Sequence, residues 1–418
     1  MIEIDVPYQS MIIDNRKSSD MRKKTITNYR KKEVIEVFEY SMANSKLEDA
    51  SKWLVELLCS GYIQEIWNII IIVYGKYVNI NNFILLEHIY QKYKYFNKYI
   101  SKIDKKYLIH IRNTQEIRNL FISIVGKITL SIKNDIFDKR TVVKVTEFDF
   151  SKEGLLKNIK NTSLDYIIDI VDENDCKELK LAVNEIAFHL KKTKSLNNCM
   201  FWYNWICRLE TIKRKDDIQL TNNKRDIKGI DEKYKDDWIW LVWKTIFKNI
   251  IQHRNPELNK IIKYLYEIYK IDYKSSVKQK RKYILFMAFY SIVISLDFKK
   301  ENIIKPYLEI QAAANINIIY RFIDFHLMNH YNNKVEFDKV DYKKSLYKKY
   351  QEEVEKKIKR DERKQIKEKQ KEENTTEEDV NSKMAYLDDL LFFKRNKTND
   401  VLNYFNSEEK NIKKIIYL

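Results

Sequence analysis

Apolar residues recur along this chain at three- and four-residue steps, with polar residues in the gaps, which is the spacing of one buried face of an α-helix. Val34, Val37 and Phe38 make a first such stripe, followed by Trp53, Leu54, Leu57 and Leu58 and then by Ile63, Ile66, Trp67, Ile70 and Ile71. Leu85, Leu86, Ile89 and Tyr90 make the next, and Ile117, Leu120, Phe121, Ile124, Val125 and Ile128 follow, with Thr114 at the expected N-cap. Two tryptophan-bearing stripes come later: Trp202, Trp205, Leu209 and Ile212, then Trp240, Trp243, Phe247 and Ile250. Aromatic residues at helical spacing are core residues in the first instance, so these two helices are expected to pack on each other or on a shared core.

The breaks between stripes are short and polar. Ser60-Gly61 separates two stripes in "LEDASKWLVELLCSGYIQEIW", and Gly61 is placed to take the left-handed conformation that ends a helix. Trp53 and Trp67 flank this elbow and are expected to pin its two helices together. Asn79, Asn81 and Asn82 mark a turn before the next helix. Only "TVVKVTEFDF", residues 141–150, alternates like a strand, and standing alone it reads as an extended connector. The whole chain of 418 residues holds 5 Gly and 3 Pro, too few for the frequent turns of a sheet-rich fold. The fold class predicted is all-α, a multi-helix array of short-loop helical pairs.

Composition shifts divide the array. Residues 1–32 read as a basic N-terminal arm, 33–140 as a first helical block and 141–335 as a second. Residues 336–385 carry nine basic and eight acidic residues between Gln351 and Asn374 and read as a charged helix and linker, partly disordered. Residues 386–418 regain apolar character in a short amphipathic segment of the kind that docks on the body of the protein or on a protein partner.

Charge then suggests a partner. The net charge is +18, which fits a polyanion partner such as nucleic acid. It fits equally a compositional bias, since Lys, Asn, Ile and Tyr are all abundant, as an AT-rich genome produces. The arm tips the balance: between Asn15 and Lys32 stand Arg16, Lys17, Arg22, Lys23, Lys24, Arg30, Lys31 and Lys32 against Asp20 alone, a net +7 in eighteen residues. A second candidate patch is "SVKQKRKY", with Lys278, Lys280, Arg281 and Lys282.

Several kinds of chemistry find no support. There is no GxxxxGK[ST], GxGxxG or GxSxG, and five scattered glycines make no phosphate cradle. Cys59, Cys176, Cys199 and Cys207 have no zinc-ligand spacing and read as free thiols of a reducing compartment. His326 and His330 stand four apart with Asp324 nearby, but no third ligand is evident, and polar helix surface is the plainer reading. Asp172, Glu173 and Asp175 are dense enough to hold Mg²⁺, yet acids opening a helix also serve its dipole. A metal-dependent nuclease on those acids is a minority reading; no cofactor and no enzyme activity is the main expectation. No signal peptide opens the chain, and the apolar run "IIIIVY" is far below the roughly 20 residues that span a bilayer, so an intracellular protein without a membrane span is expected.

Two stretches resemble a known family. Residues 34–82 are similar in layout to the C-terminal helical domain of the Mgs-type replication-associated AAA+ ATPases, relatives of clamp loaders: Ala50, Trp53 and Gly61 match, while "VNINN" replaces the family's acid-Ile-Gly turn. Residues 113–134 are similar to that domain's next helix through Gln115-Glu116 and Lys133-Asn134. The resemblance implies a helical collar for oligomerisation and replication-complex contacts, without the ATPase motor. The composition also resembles helical proteins of large AT-rich DNA viruses of eukaryotes, which implies a viral origin. The expected function is therefore a nucleic-acid-associated helical accessory protein of replication, transcription or packaging. The alternative is a virion scaffold held to a protein partner through 386–418. Oligomeric state and the choice between DNA and RNA stay open.

Overall fold

Regular apolar spacing becomes helix along the whole described chain, because each stripe has a neighbouring stripe to bury it. The computed structural model describes residues 21–294 apart from 22, 104, 138–142, 217, 219, 221 and 252–254, with the backbone alone for 105–107. Its helices are α1 (Lys31–Ala43), α2 (Leu47–Cys59), α3 (Ile63–Val73), α4 (Phe83–Ile100), α5 (Gln115–Leu130), α6 (Lys152–Asn158), α7 (Lys177–Phe188), α8 (Leu196–Lys215), α9 (Ile239–Ile251), α10 (Pro256–Lys270) and α11 (Lys282–Val293). Among the described residues there is no strand or sheet, and the protein is all-α. The strand-like segment behaves as a connector where described, ending in a short 3-10 turn at Phe148–Phe150.

The elbow shows how sequence sets local structure. Gly61 has φ of +75°, and the Tyr62 and Gly61 amides donate to the Leu57 and Leu58 carbonyls at 2.9 and 3.0 Å. That pair of bonds is a Schellman ending, which needs a left-handed residue at the position of Gly61. A Cβ there would also stand 3.4 Å from Ile109 Cγ1. Gly61→Val is therefore expected to cost about 2 kcal/mol or more, since a β-branched side chain is strained in this region. Chemical denaturation checks this, and an unchanged midpoint would mean that the turn tolerates a side chain.

The two elbow tryptophans do separate work. Trp53 meets Tyr29 edge-on at 5.6 Å, whereas Trp67 packs among Tyr93, Phe96 and Phe121 at 5.1 to 5.6 Å. Asn82 caps α4 by accepting from the Leu85 amide at 2.9 Å. Thr114 holds the N-cap position of α5 as expected, but its hydroxyl makes no capping bond.

The chain forms two compact units. The described part of the first comprises 21–143, 189–200 and 224–294; that of the second comprises 144–188 and 201–223. In the first, α1, α2, α3 and α5 pack on one another, α4 lies against α5 and α10, and α11 packs on α9 and α10. The residues of the expected second block, 141–335, are divided between both units where described. The reason is packing at long range: Arg281 donates to Asn68, Tyr264 donates to Glu87 at 3.0 Å, and a Cβ on Gly75 would stand 2.7 Å from Ile284 Cδ1. The two tryptophan helices serve different cores. Trp240 and Trp243 are buried in the first unit with Tyr266 and Tyr269. Trp202 and Trp205 are buried in the second, where Trp205 stacks on Phe150 and donates to the Asp149 carbonyl at 3.0 Å.

Candidate nucleic-acid interface

Residues 23–31, the part of the expected basic arm that leads into α1, form a closed turn seated on the elbow. Lys31 N–H donates to the Lys23 carbonyl at 2.9 Å and Thr25 N–H to the Tyr29 carbonyl at 2.8 Å. Asn28 sits at the tip with φ of +69°, a conformation that Asn tolerates better than most residues. The Thr25 hydroxyl accepts from the Tyr29 amide at 3.1 Å and completes the turn.

The turn runs antiparallel along one face of α2. Tyr29 meets Trp53, Thr27 meets Glu56 and Ile26 meets Ser60, so the receiving residues step by three and four along the helix. Ile26 N–H donates to Ser60 Oγ at 2.8 Å, and Tyr62 donates its hydroxyl hydrogen to the Lys24 carbonyl at 2.7 Å. Glu56 Oε1 accepts from both the amide and the hydroxyl of Thr27, at 3.2 and 2.6 Å. Met21 and Ile26 are buried beneath. Burial, with Glu65 and Glu56 close by, pushes the Tyr62 hydroxyl up to about 12, so it stays protonated and remains a donor.

This geometry sets two cations face to face. Lys24 and Arg30 are joined by an antiparallel bridge whose flanking bonds lie on either side of them. They are thus a non-hydrogen-bonded pair, the closer of the two antiparallel pairings, with side chains on one side of the turn. Like charges directly opposite each other are unfavourable. Both side chains are exposed; Arg30 has Glu33 at 3.7 Å, at 77% exposure. Lys23 is exposed beside them, and Lys32, 88% exposed, has only a long contact to Glu36 at 3.8 Å among the described residues. Lys31 differs: it pairs with Glu65 and lies 4.2 Å over the Tyr62 ring, so it is a strut of the turn.

The second basic patch is corrected by the structure. Lys278 and Arg281 are buried, at 3% and 1% exposure, and cannot present charge to a surface ligand. Lys278 pairs with Asp237 at 2.8 Å, and Arg281 donates to the Tyr269 and Ile271 carbonyls and to Asn68. Lys280 is exposed and Lys282 half-buried over the Tyr283 ring. Arg16, Lys17 and Arg22 lie outside the described residues, as do His326, His330 and the segments 336–385 and 386–418.

Within the acidic cluster, Asp175 has a structural role. Asp175 is buried, accepting from the Asp172 amide at 2.9 Å and the Asn223 amide at 2.8 Å. Among the described residues no three His, Cys, Asp or Glu side chains gather to hold a metal. Burial raises the thiols of Cys59, Cys176 and Cys199, to about 12 for Cys59, which removes them as nucleophiles at neutral pH. No helix among the described residues is long and apolar enough to cross a membrane.

Glu56, Thr27 and Ser60 are functional candidates that sequence reasoning passed over. The available signal was Glu56 itself, the one charged residue in the otherwise apolar run Trp53–Cys59. Comparison with known proteins adds no relative: no family model, no curated protein and no solved structure matches this chain.

Proposed function

We propose that this protein is a non-enzymatic nucleic-acid-associated accessory protein that holds the phosphate backbone at its N-terminal turn. The observation that supports this reading is the opposed Lys24–Arg30 pair on a turn fixed to α2. A phosphate between the two side chains converts an unfavourable contact into two favourable ones. Lys23 and Lys32 are further exposed cations next to the pair in sequence, and α1 opens beside it with no side chain capping its first amides. Such contacts are made to backbone phosphates, so they give affinity and register without reading sequence.

The test is binding to duplex and single-stranded DNA across a salt series. The variant K23Q/K24Q/R30Q/K32Q is expected to lower the slope of log affinity against log salt by about 3 to 4, from four lost phosphate contacts at about 0.9 each on duplex. No binding by the wild type at low salt, or an unchanged slope in the variant, overturns the proposal.

A further inference from the structure

We propose that Glu56 is the positioning residue of this interface: its buried carboxylate fixes the turn so that Lys24 and Arg30 stand opposed toward a phosphate. The inference rests on the nucleic-acid reading above and says how that site is built.

Glu56 is fully buried on a face of α2 that otherwise buries Trp53, Leu57 and Ser60. A carboxylate in such a place needs donors, because desolvation of its charge is otherwise uncompensated. Thr27 supplies two of them, at 3.2 and 2.6 Å, from a segment 29 residues earlier in the chain. The shorter bond, hydroxyl to carboxylate, is of the charge-assisted kind, roughly twice as strong as a neutral one. Ser60, one helical turn on, receives Ile26, and its own hydroxyl donates to the Glu56 carbonyl at 2.6 Å. The two anchored residues lie in the loop closed by the Lys24–Arg30 bridge. Fixing Ile26 and Thr27 therefore fixes the separation and aim of the two cations on either side.

Positioning and simple electrostatics predict opposite results. Glu56 is an acid under a cationic surface, so on charge alone its removal should tighten binding to DNA. Glu56→Gln and Glu56→Ala change the net charge equally, but only Gln keeps an oxygen that accepts from Thr27. The positioning role predicts that E56A binds duplex DNA about tenfold more weakly than E56Q, the loss of one strong hydrogen bond to the turn. Amide hydrogen exchange should show Ile26 and Thr27 protected in the wild type and E56Q, and exposed in E56A.

Thr27→Val provides the variant that leaves every charge and the α2 core in place. It is expected to weaken DNA binding and to speed exchange at Ile26, while Thr27→Ser restores both. Equal affinities for E56A and E56Q, or full amide protection at Ile26 in both E56A and T27V, would overturn the positioning role with DNA binding itself intact. A wild-type protein that binds no DNA at low salt would instead remove the nucleic-acid reading, and this inference with it.

Discussion

Asp237→Ala is expected to destabilise the first unit by about 3–5 kcal/mol, the cost of leaving one partner of a buried ion pair behind. The Asp237 and Lys278 side chains are both buried and 2.8 Å apart. The other carboxylate oxygen accepts from the Tyr273 and Ser275 hydroxyls, both at 2.8 Å. Removing the acid strands an ammonium, which also lies 4.9 Å over the Trp238 ring, and two hydroxyls that have lost their acceptor. Lys278→Met is expected to cost a similar amount, because the carboxylate is then the stranded charge, although the two hydroxyls still serve it. The double variant D237L/K278M should recover much of the loss, since a buried pair replaced by apolar side chains is often near neutral. Denaturant unfolding of the four proteins in a double-mutant cycle checks this. Single variants that lose less than about 1 kcal/mol, below the stranded-charge range, would show that water reaches the pair.

The same pair explains a limit of sequence reading. Residues 278–282 hold four basic residues in five, a denser run by count than the eight in eighteen of the N-terminal cluster. Their difference lies in partners that the local sequence does not contain. Asp237 is 41 residues from Lys278, and Asn68 is 213 residues from Arg281. Helical periodicity is legible because neighbours three and four apart encode it. Which charges are buried depends on which helices meet, and that is decided by side chains far apart in sequence. Chain order hides the units for the same reason: α10 and α11 follow residues 201–223 in sequence but pack with α4 and the segment after α3.

The candidate interface was half legible. The cluster of cations was visible as composition, and five of its eight members fall within the described residues. Composition suggested a basic arm. Residues 23–31 form instead a closed turn, because Asn28 allows the tip, Ile26 supplies an apolar anchor and Glu56 supplies an acceptor. None of these three is basic, so a search for charge passes them by. A fixed turn also changes the chemistry, since cations held at one spacing lose less conformational entropy on meeting a phosphate than cations on a flexible chain.

Gly154→Ala is expected to cost the second unit more than the ~1–3 kcal/mol of ordinary overpacking, because the obstacles are backbone atoms that have no rotamer to change. An added Cβ would lie 1.9 Å from the Phe148 carbonyl oxygen, 2.7 Å from its carbon and 2.9 Å from Asp149 Cα. Gly154 is the third residue of α6, and its amide donates to the capping Ser151 hydroxyl at 3.1 Å, which folds the helix start back on the Phe148–Phe150 turn. Moving that turn outward would pull the Asp149 carbonyl from the Trp205 indole and unstack Phe150 from the same ring. It would also disturb Asp149, whose carboxylate accepts from Thr146 and Asn158. Gly126 provides the contrast: it lies within α5, and a Cβ there meets nothing within 4 Å. Gly126→Ala should stabilise by about 0.5–1 kcal/mol through helix propensity alone. Thermal and denaturant unfolding, with hydrogen exchange to assign the loss to residues 146–158, separate the two substitutions. A Gly154→Ala protein as stable as the wild type would mean that the Phe148–Phe150 turn yields at little cost, and that the Trp205 core does not depend on where this turn lies.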